Sequence, residues 1–121
     1  MTATDKELLG KMLKHIDEVA EDIGDMAYDD FLNSRIIQKS AVFDVAQIYE
    51  LAKGTSDKHQ SLKLTPETYA QIDGLYMKAI SKTRAIAVHG YGSLDLNMLW
   101  STLKNGLPKL REIISGVLKK A

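Results

Sequence analysis

The sequence predicts an all-α protein, an up-down four-helix bundle with a kink in its last helix. Three observations carry that prediction. Apolar residues recur at three- and four-residue spacing through four stretches. Short polar segments rich in Gly, Ser, Thr and Asp separate those stretches. No segment of any length alternates apolar and polar residues as a half-buried strand does. Amphipathic helices joined by short connections pack as antiparallel neighbours around one core.

Thr4 and Glu7 are spaced as a capping box and start the first helix. Leu8, Leu9, Met12, Leu13, Ile16, Val19 and Ile23 form its apolar stripe, and Gly24 closes it. His15, on the margin of that stripe, reads as a surface or helix-packing histidine. Asp29 or Asp30 caps the second helix, with Phe31 and Leu32 in its first turn. Adjacent residues on a helix diverge by about 100°, so capping suits these two acids better than metal ligation. Ala41, Val42, Val45, Ile48, Tyr49 and Ala52 supply the buried face, while Arg35 and Lys39 form a solvated cationic pair one turn apart.

Lys53 to Leu64 reads as a loop, and its Asp57 and His59 have no further donor at a metal-like spacing. Thr65-Pro66 starts the third helix as a cap followed by proline at the first position. Its stripe of Tyr69, Ile72, Leu75, Tyr76, Ala79 and Ile80 runs through Gly74 to Arg84. Ser93 or Asp95 caps the fourth helix, whose leucines and isoleucines continue to Val117. Pro108 falls inside that pattern and predicts the kink; Trp100 reads as a packing residue.

A chain of 121 residues is expected to be one domain, 1–121. The absence of cysteine excludes disulfides, thiol catalysis and zinc–thiolate sites. No apolar run approaches the ~20 residues of a membrane span and no signal-peptide pattern opens the chain. The expectation is a cytoplasmic protein with no membrane contact. A net charge of zero argues against a generic nucleic-acid binder. The charge is uneven, however: nine of the sixteen acids but three of the sixteen basic residues lie in the first thirty positions. An acidic first helix and a basic remainder suit different partners.

The chemistry gathers in Arg84-Ala85-Ile86-Ala87-Val88-His89-Gly90-Tyr91-Gly92. Guanidinium is a permanent cation with a planar donor fork. Imidazole titrates near neutrality, and a tyrosine hydroxyl can donate, accept or be modified. Five residues of helix turn about 500°, so Arg84 and His89 diverge by about 140°. Unwinding at Gly90, or a second copy of the chain, is needed to bring both onto one phosphate.

Arg84, His89 and Tyr91 fit the Arg-x4-His-x-Tyr pattern of the HEPN superfamily, in its HepT-like toxin branch. The following Gly90-Tyr91, Leu94-Asp95, Trp100 and Leu107-Pro108 resemble the tail of those proteins. Phe31-Leu32 with Arg35-Ile36-Ile37-Gln38 resembles their second helix, so the likeness runs over roughly residues 5–118. The resemblance implies a metal-independent endoribonuclease without cofactor, the toxin of a type II toxin–antitoxin system. In it Arg84 and His89 are catalytic, Gly90 supports the motif, and the protein is a homodimer acting on RNA. A cognate nucleotidyltransferase (MNT) antitoxin is implied to neutralise it by AMPylating Tyr91. Ala85 departs from the family, which usually has Asn or Asp there; Tyr76 and Met77 stand where a tryptophan is common. The alternative is a non-catalytic HEPN scaffold that binds a nucleotidyltransferase.

Overall fold

Helix α1 (Ala3–Ile23) begins earlier than the Thr4–Glu7 spacing predicts. Thr2 is the N-cap: its hydroxyl accepts from the Asp5 amide at 2.9 Å, and the Asp5 carboxylate accepts from the Thr2 amide at 3.3 Å. The capping box is therefore Thr2–Asp5. Asp5 is favoured because its carboxylate has further partners sixty residues away. It accepts from the Thr65 amide at 2.9 Å, the Thr65 hydroxyl at 2.8 Å and the Thr68 hydroxyl at 2.7 Å. Thr65 is the N-cap of α4 (Pro66–Ile72), so one carboxylate secures the starts of two helices. Burial alone would raise the Asp5 pKa, but these hydrogen bonds outweigh it and hold the carboxyl well below the usual range.

The computed structural model describes residues 1–53, 63–89 and 95–121, with Leu75 and residues 86–89 described by backbone alone. The expected Lys53–Leu64 loop, with Asp57 and His59, lies largely outside the described residues. At the end of α1, Gly24 takes φ +44°, a left-handed conformation that glycine adopts without strain, and its amide reaches the Ala20 carbonyl at 2.9 Å.

The second predicted helix is two: α2 (Tyr28–Leu32) and α3 (Arg35–Lys53). Asp29 and Asp30 do not cap it. Ala27 occupies the N-cap without a side-chain bond, and the two acids sit in the first turn, where negative charge suits the helix dipole. Ser34 starts α3, its hydroxyl accepting from the Ile37 amide at 3.3 Å. The break leaves carbonyls at the end of α2 without helical partners. Buried Gln38 supplies them, its amide donating to the Phe31 and Leu32 carbonyls at 2.9 and 3.1 Å.

The third predicted helix also divides. Asp73 turns extended (ψ 140°), and after Gly74 the chain restarts as α5 (Leu75–His89). Asp95 caps α6 (Leu96–Ser101) by accepting from the Met98 amide at 3.1 Å. Ser93 lies outside the described residues. A π-helical turn, Thr102–Gly106, then leads into α7 (Leu107–Lys120). In a regular helix the Pro108 ring would collide with the carbonyl of Lys104 and leave it without a donor. The widened turn relieves this, and the Leu107 amide reaches back five residues to the Thr102 carbonyl. The predicted kink is resolved as a π-bulge.

Every regular element among the described residues is helical. The four long rods are α1, α3, α5 and the α6–π–α7 stretch. α1 packs on α3 and α7, and α3 packs on α5. Contacts that pair Asp22 with Ser40 and His15 with Asp44 run α1 antiparallel to α3. Met12, Phe31, Ile48, Ile80, Leu99 and Leu110 bring these elements into one fully buried cluster. Trp100 packs as expected, its ring 4.8 Å from Phe31 and 5.8 Å from Tyr28. Two large apolar side chains on α3 stay in water: Ile36 is 81% exposed and Phe43 61%. No helix among the described residues is long and apolar enough to cross a membrane.

Candidate functional site

Helix α5 turns Met77, Ile80 and Thr83 into the core. The Thr83 hydroxyl donates to the Ala79 carbonyl at 3.0 Å, so this residue meets its own polar need inside the helix. The next residue, Arg84, consequently leaves the core on the side facing α3. There its Nη2 lies 3.6 Å from Glu50 Oε1, and its guanidinium carbon is 5.6 Å from the Tyr49 ring centroid. The Arg84 side chain is 26% exposed and that of Glu50 35%. A 3.6 Å contact at that exposure is a loose ion pair, of the kind that contributes about 1 kcal/mol or less. Glu50 and Tyr49 therefore orient the guanidinium while holding it loosely.

A cavity of about 210 Å³ opens between the end of α3, the α4–α5 break and α5, lined by Tyr49, Lys53, Tyr69, Asp73, Lys78 and Ser81; Arg84 does not line it and meets it only through the Tyr49 ring. Lys53 holds its ammonium 4.7 Å from the Tyr69 ring centroid. Burial, reinforced by Asp73, pushes the Tyr69 hydroxyl above its usual range, so it remains a donor at neutral pH. Positive charge, aromatic faces and hydroxyls thus line this cavity, which shares Tyr49 with Arg84. A larger cavity of about 330 Å³ lies between α5 and the α6–π stretch, lined by Lys78, Lys82, Met98 and Asn105 among others, and holds no predicted site residue.

Arg84 and Ala85 are described with their side chains, and Ala85 is half-buried. His89 is the last residue of α5; its side chain, and all of Gly90 and Tyr91, lie outside the described residues. Tyr49 and Glu50 are the neighbours that sequence reasoning missed. Helical spacing places Tyr49 on the buried face of its helix, and Glu50 carries no motif. The contact joins positions 34 residues apart, which no local spacing encodes. Among the described residues, metal-ligating atoms converge at His15, Glu18 and Asp44, on the seam between α1 and α3.

The family model described as Ribonuclease HepT-like matches residues 12–117. A Methanocaldococcus jannaschii protein named as a gamma-glutamylcyclotransferase and candidate RNase is 25% identical over 115 residues, 95% of this chain and 48% of that protein. A second protein of that organism, named as a candidate RNase, is 21% identical over 114 residues, 94% of this chain and 90% of its own length. The chain thus spans about half of the first relative and nearly all of the second. No solved structure matches it. With most of its length inside one family model, and an all-helical fold to go with it, the chain belongs to the HepT-like ribonuclease family.

Proposed function

We propose that this protein is a metal-independent endoribonuclease, the toxin of a toxin–antitoxin pair, with Arg84 and His89 as its catalytic residues. The observation that carries the reading is Arg84 itself. It is a partly exposed guanidinium, held loosely by Glu50 and Tyr49, at the position the family pattern requires. The reaction is attack of a ribose 2′-oxygen on the adjacent phosphorus with cleavage of the bond to the 5′-oxygen. One imidazole nitrogen of His89 takes the 2′-proton, or gives one to the leaving 5′-oxygen. The products are a 2′,3′-cyclic phosphate and a 5′-hydroxyl. Arg84 moves from Glu50 to the phosphoryl oxygens as charge grows on them. With proton transfer and charge stabilisation both supplied by side chains, the step requires no cation.

The working unit in this reading is a homodimer. Ile36 and Phe43 are seven residues apart and so share one stripe of α3, which continues at the same spacing to Glu50, the partner of Arg84. A second copy laid along that stripe covers the two exposed apolar side chains and sets the two Arg84 groups near one cleft. Neutralisation is assigned to a nucleotidyltransferase that transfers AMP to Tyr91. The added phosphodiester places negative charge where the RNA phosphate binds.

Two observations favour the second reading, a non-catalytic scaffold for a nucleotidyltransferase: Ala85 lacks the polar group usual at that position, and Glu50 already faces Arg84. RNA cleavage in buffer containing EDTA separates the two. The first reading expects cleavage by the parent and loss of about two orders of magnitude or more in both Arg84→Ala and His89→Ala, with helical circular dichroism unchanged. No cleavage by the parent, or equal cleavage by both variants, rejects it. In the first reading, intact mass after incubation with the partner enzyme, ATP and magnesium rises in AMP units for the parent and not for Tyr91→Phe.

A further inference from the structure

We propose that His15, Glu18 and Asp44 form a divalent-metal site, with a mixed nitrogen–oxygen donor set, on the seam between α1 and α3. His15 and Glu18 are three residues apart on α1, so both lean toward the same neighbour. That neighbour is α3, and it contributes Asp44. His15 Nδ1 lies 2.9 Å from Asp44 Oδ1 and 3.7 Å from Glu18 Oε2. One ligand atom from each of the three residues falls within 4.8 Å of the others. Metal–ligand bonds of about 2.0–2.2 Å place tetrahedral donor atoms roughly 3.3–3.5 Å apart. The two separations to His15 bracket that value. The widest gap closes by rotation of Glu18, whose side chain is 46% exposed.

The charge balance favours a cation here. The Asp44 side chain is 7% exposed, a carboxylate taken largely out of water with one imidazole as its polar partner. Glu18 stands beside it, and Asp22 lies one turn further along α1, held by Ser40 at 3.3 Å. No lysine or arginine among the described residues is within 4.0 Å of Glu18, Asp22 or Asp44. Two cations on or against α1 are committed elsewhere: Arg111 to Asp17 at 2.7 Å and Lys11 to Glu7 at 3.4 Å; Lys14, beside His15, reaches neither Glu18 nor Asp44 within 4.0 Å. Among the described residues, the only ion pairs that these three carboxylates make are those of Glu18 and Asp44 with His15.

Side chains from facing helices are the usual way a helical bundle holds a metal. Imidazole with two carboxylates suits zinc, manganese or cobalt, and the open edge at Glu18 leaves water to complete the shell. The ion ties α1 to α3 and takes no part in chemistry at Arg84. The inference is independent of the ribonuclease reading.

The test uses the untagged full-length chain, stripped with EDTA, titrated calorimetrically with zinc chloride and with cobalt chloride. The expected result is one ion per chain, with visible cobalt bands of low coordination number. Asp44→Asn, which keeps the side-chain shape, and His15→Ala should each weaken zinc binding by more than the roughly 10–100-fold that loss of an outer-shell partner costs. His89→Ala and His59→Ala should bind as the parent does. Absence of stoichiometric binding by the parent overturns the proposal. So does binding unchanged in Asp44→Asn and His15→Ala, or lost in His59→Ala or His89→Ala.

Discussion

Arg84 and Asp5 are both charged residues whose surroundings decide what they can do, and the sequence treats them very differently. Arg84 stood out because a guanidinium, an imidazole and a phenol lie within eight positions of one another. Its partners Tyr49 and Glu50 were invisible, because they approach only once α3 and α5 pack. Asp5 carried no signal at all, since the spacing that marks a capping box is equally met by Thr4 and Glu7. Four tertiary and local hydrogen bonds, not spacing, choose Thr2–Asp5. The Asp5 pKa is depressed in the folded chain, so its contribution is fully present above the unfolded carboxyl value of about 3.9 and is lost as pH falls below it. Asp5→Ala should cost about 2–4 kcal/mol in urea unfolding at pH 7, reflecting the donors it strands at Thr2, Thr65 and Thr68. The parent should lose stability steeply below pH ~4, and Asp5→Asn much less steeply. Parallel acid limbs would show that Asp5 is not the group that titrates.

At the scale of elements, existence and type were legible and continuity was not. Amphipathic spacing passes through Asn33–Ser34 and Asp73–Gly74 without a fault, because both halves of each broken helix present apolar residues to the same core. What breaks them is local: Ser34 offers a cap, and Gly74 follows an extended Asp73. Pro108 did announce an irregularity, but a proline says where a helix is disturbed and not how. A π-turn holds one residue more per hydrogen-bonded loop than an α-turn does. Removing Asn105, together with Pro108→Ala, should therefore restore an unbroken α-helix with both flanks facing as before. The variant should keep its helical signal and melt within a few degrees of the parent. Removing Ser115 from α7 instead turns Val117 by about 100° off the core and should lower the melting temperature far more. Equal damage from both deletions would mean that the π-turn is not an accommodated extra residue.

For the whole molecule, the all-α bundle followed from periodicity, and the family from a motif whose second half falls where the structure describes no side chains. The assembly is the part neither could display. Ile36 and Phe43 look like ordinary members of a helical pattern in sequence, and their exposure emerges only when the other faces of α3 are filled by α1 and α5. In the proposed homodimer these two side chains lie between protomers. Ile36→Glu combined with Phe43→Glu should leave the monomer folded, shift light scattering from dimer to monomer, and abolish RNA cleavage. A parent that is already monomeric at micromolar concentration would rule the arrangement out, as would a variant that stays dimeric.

The Asp5 carboxylate has one more consequence, for the order in which the molecule opens. Because it binds donors at Thr2, Thr65 and Thr68, the first turn of α1 cannot fray without releasing the first turn of α4. Two segments that are remote along the chain thus become one cooperative unit of local unfolding. Amide hydrogen exchange should register this as matched protection at Asp5 and Thr65. Asp5→Asn should speed both by the same factor while leaving the amides around Ile48 and Ile80 unchanged. Fraying that stays confined to one of the two helices would show that they open separately.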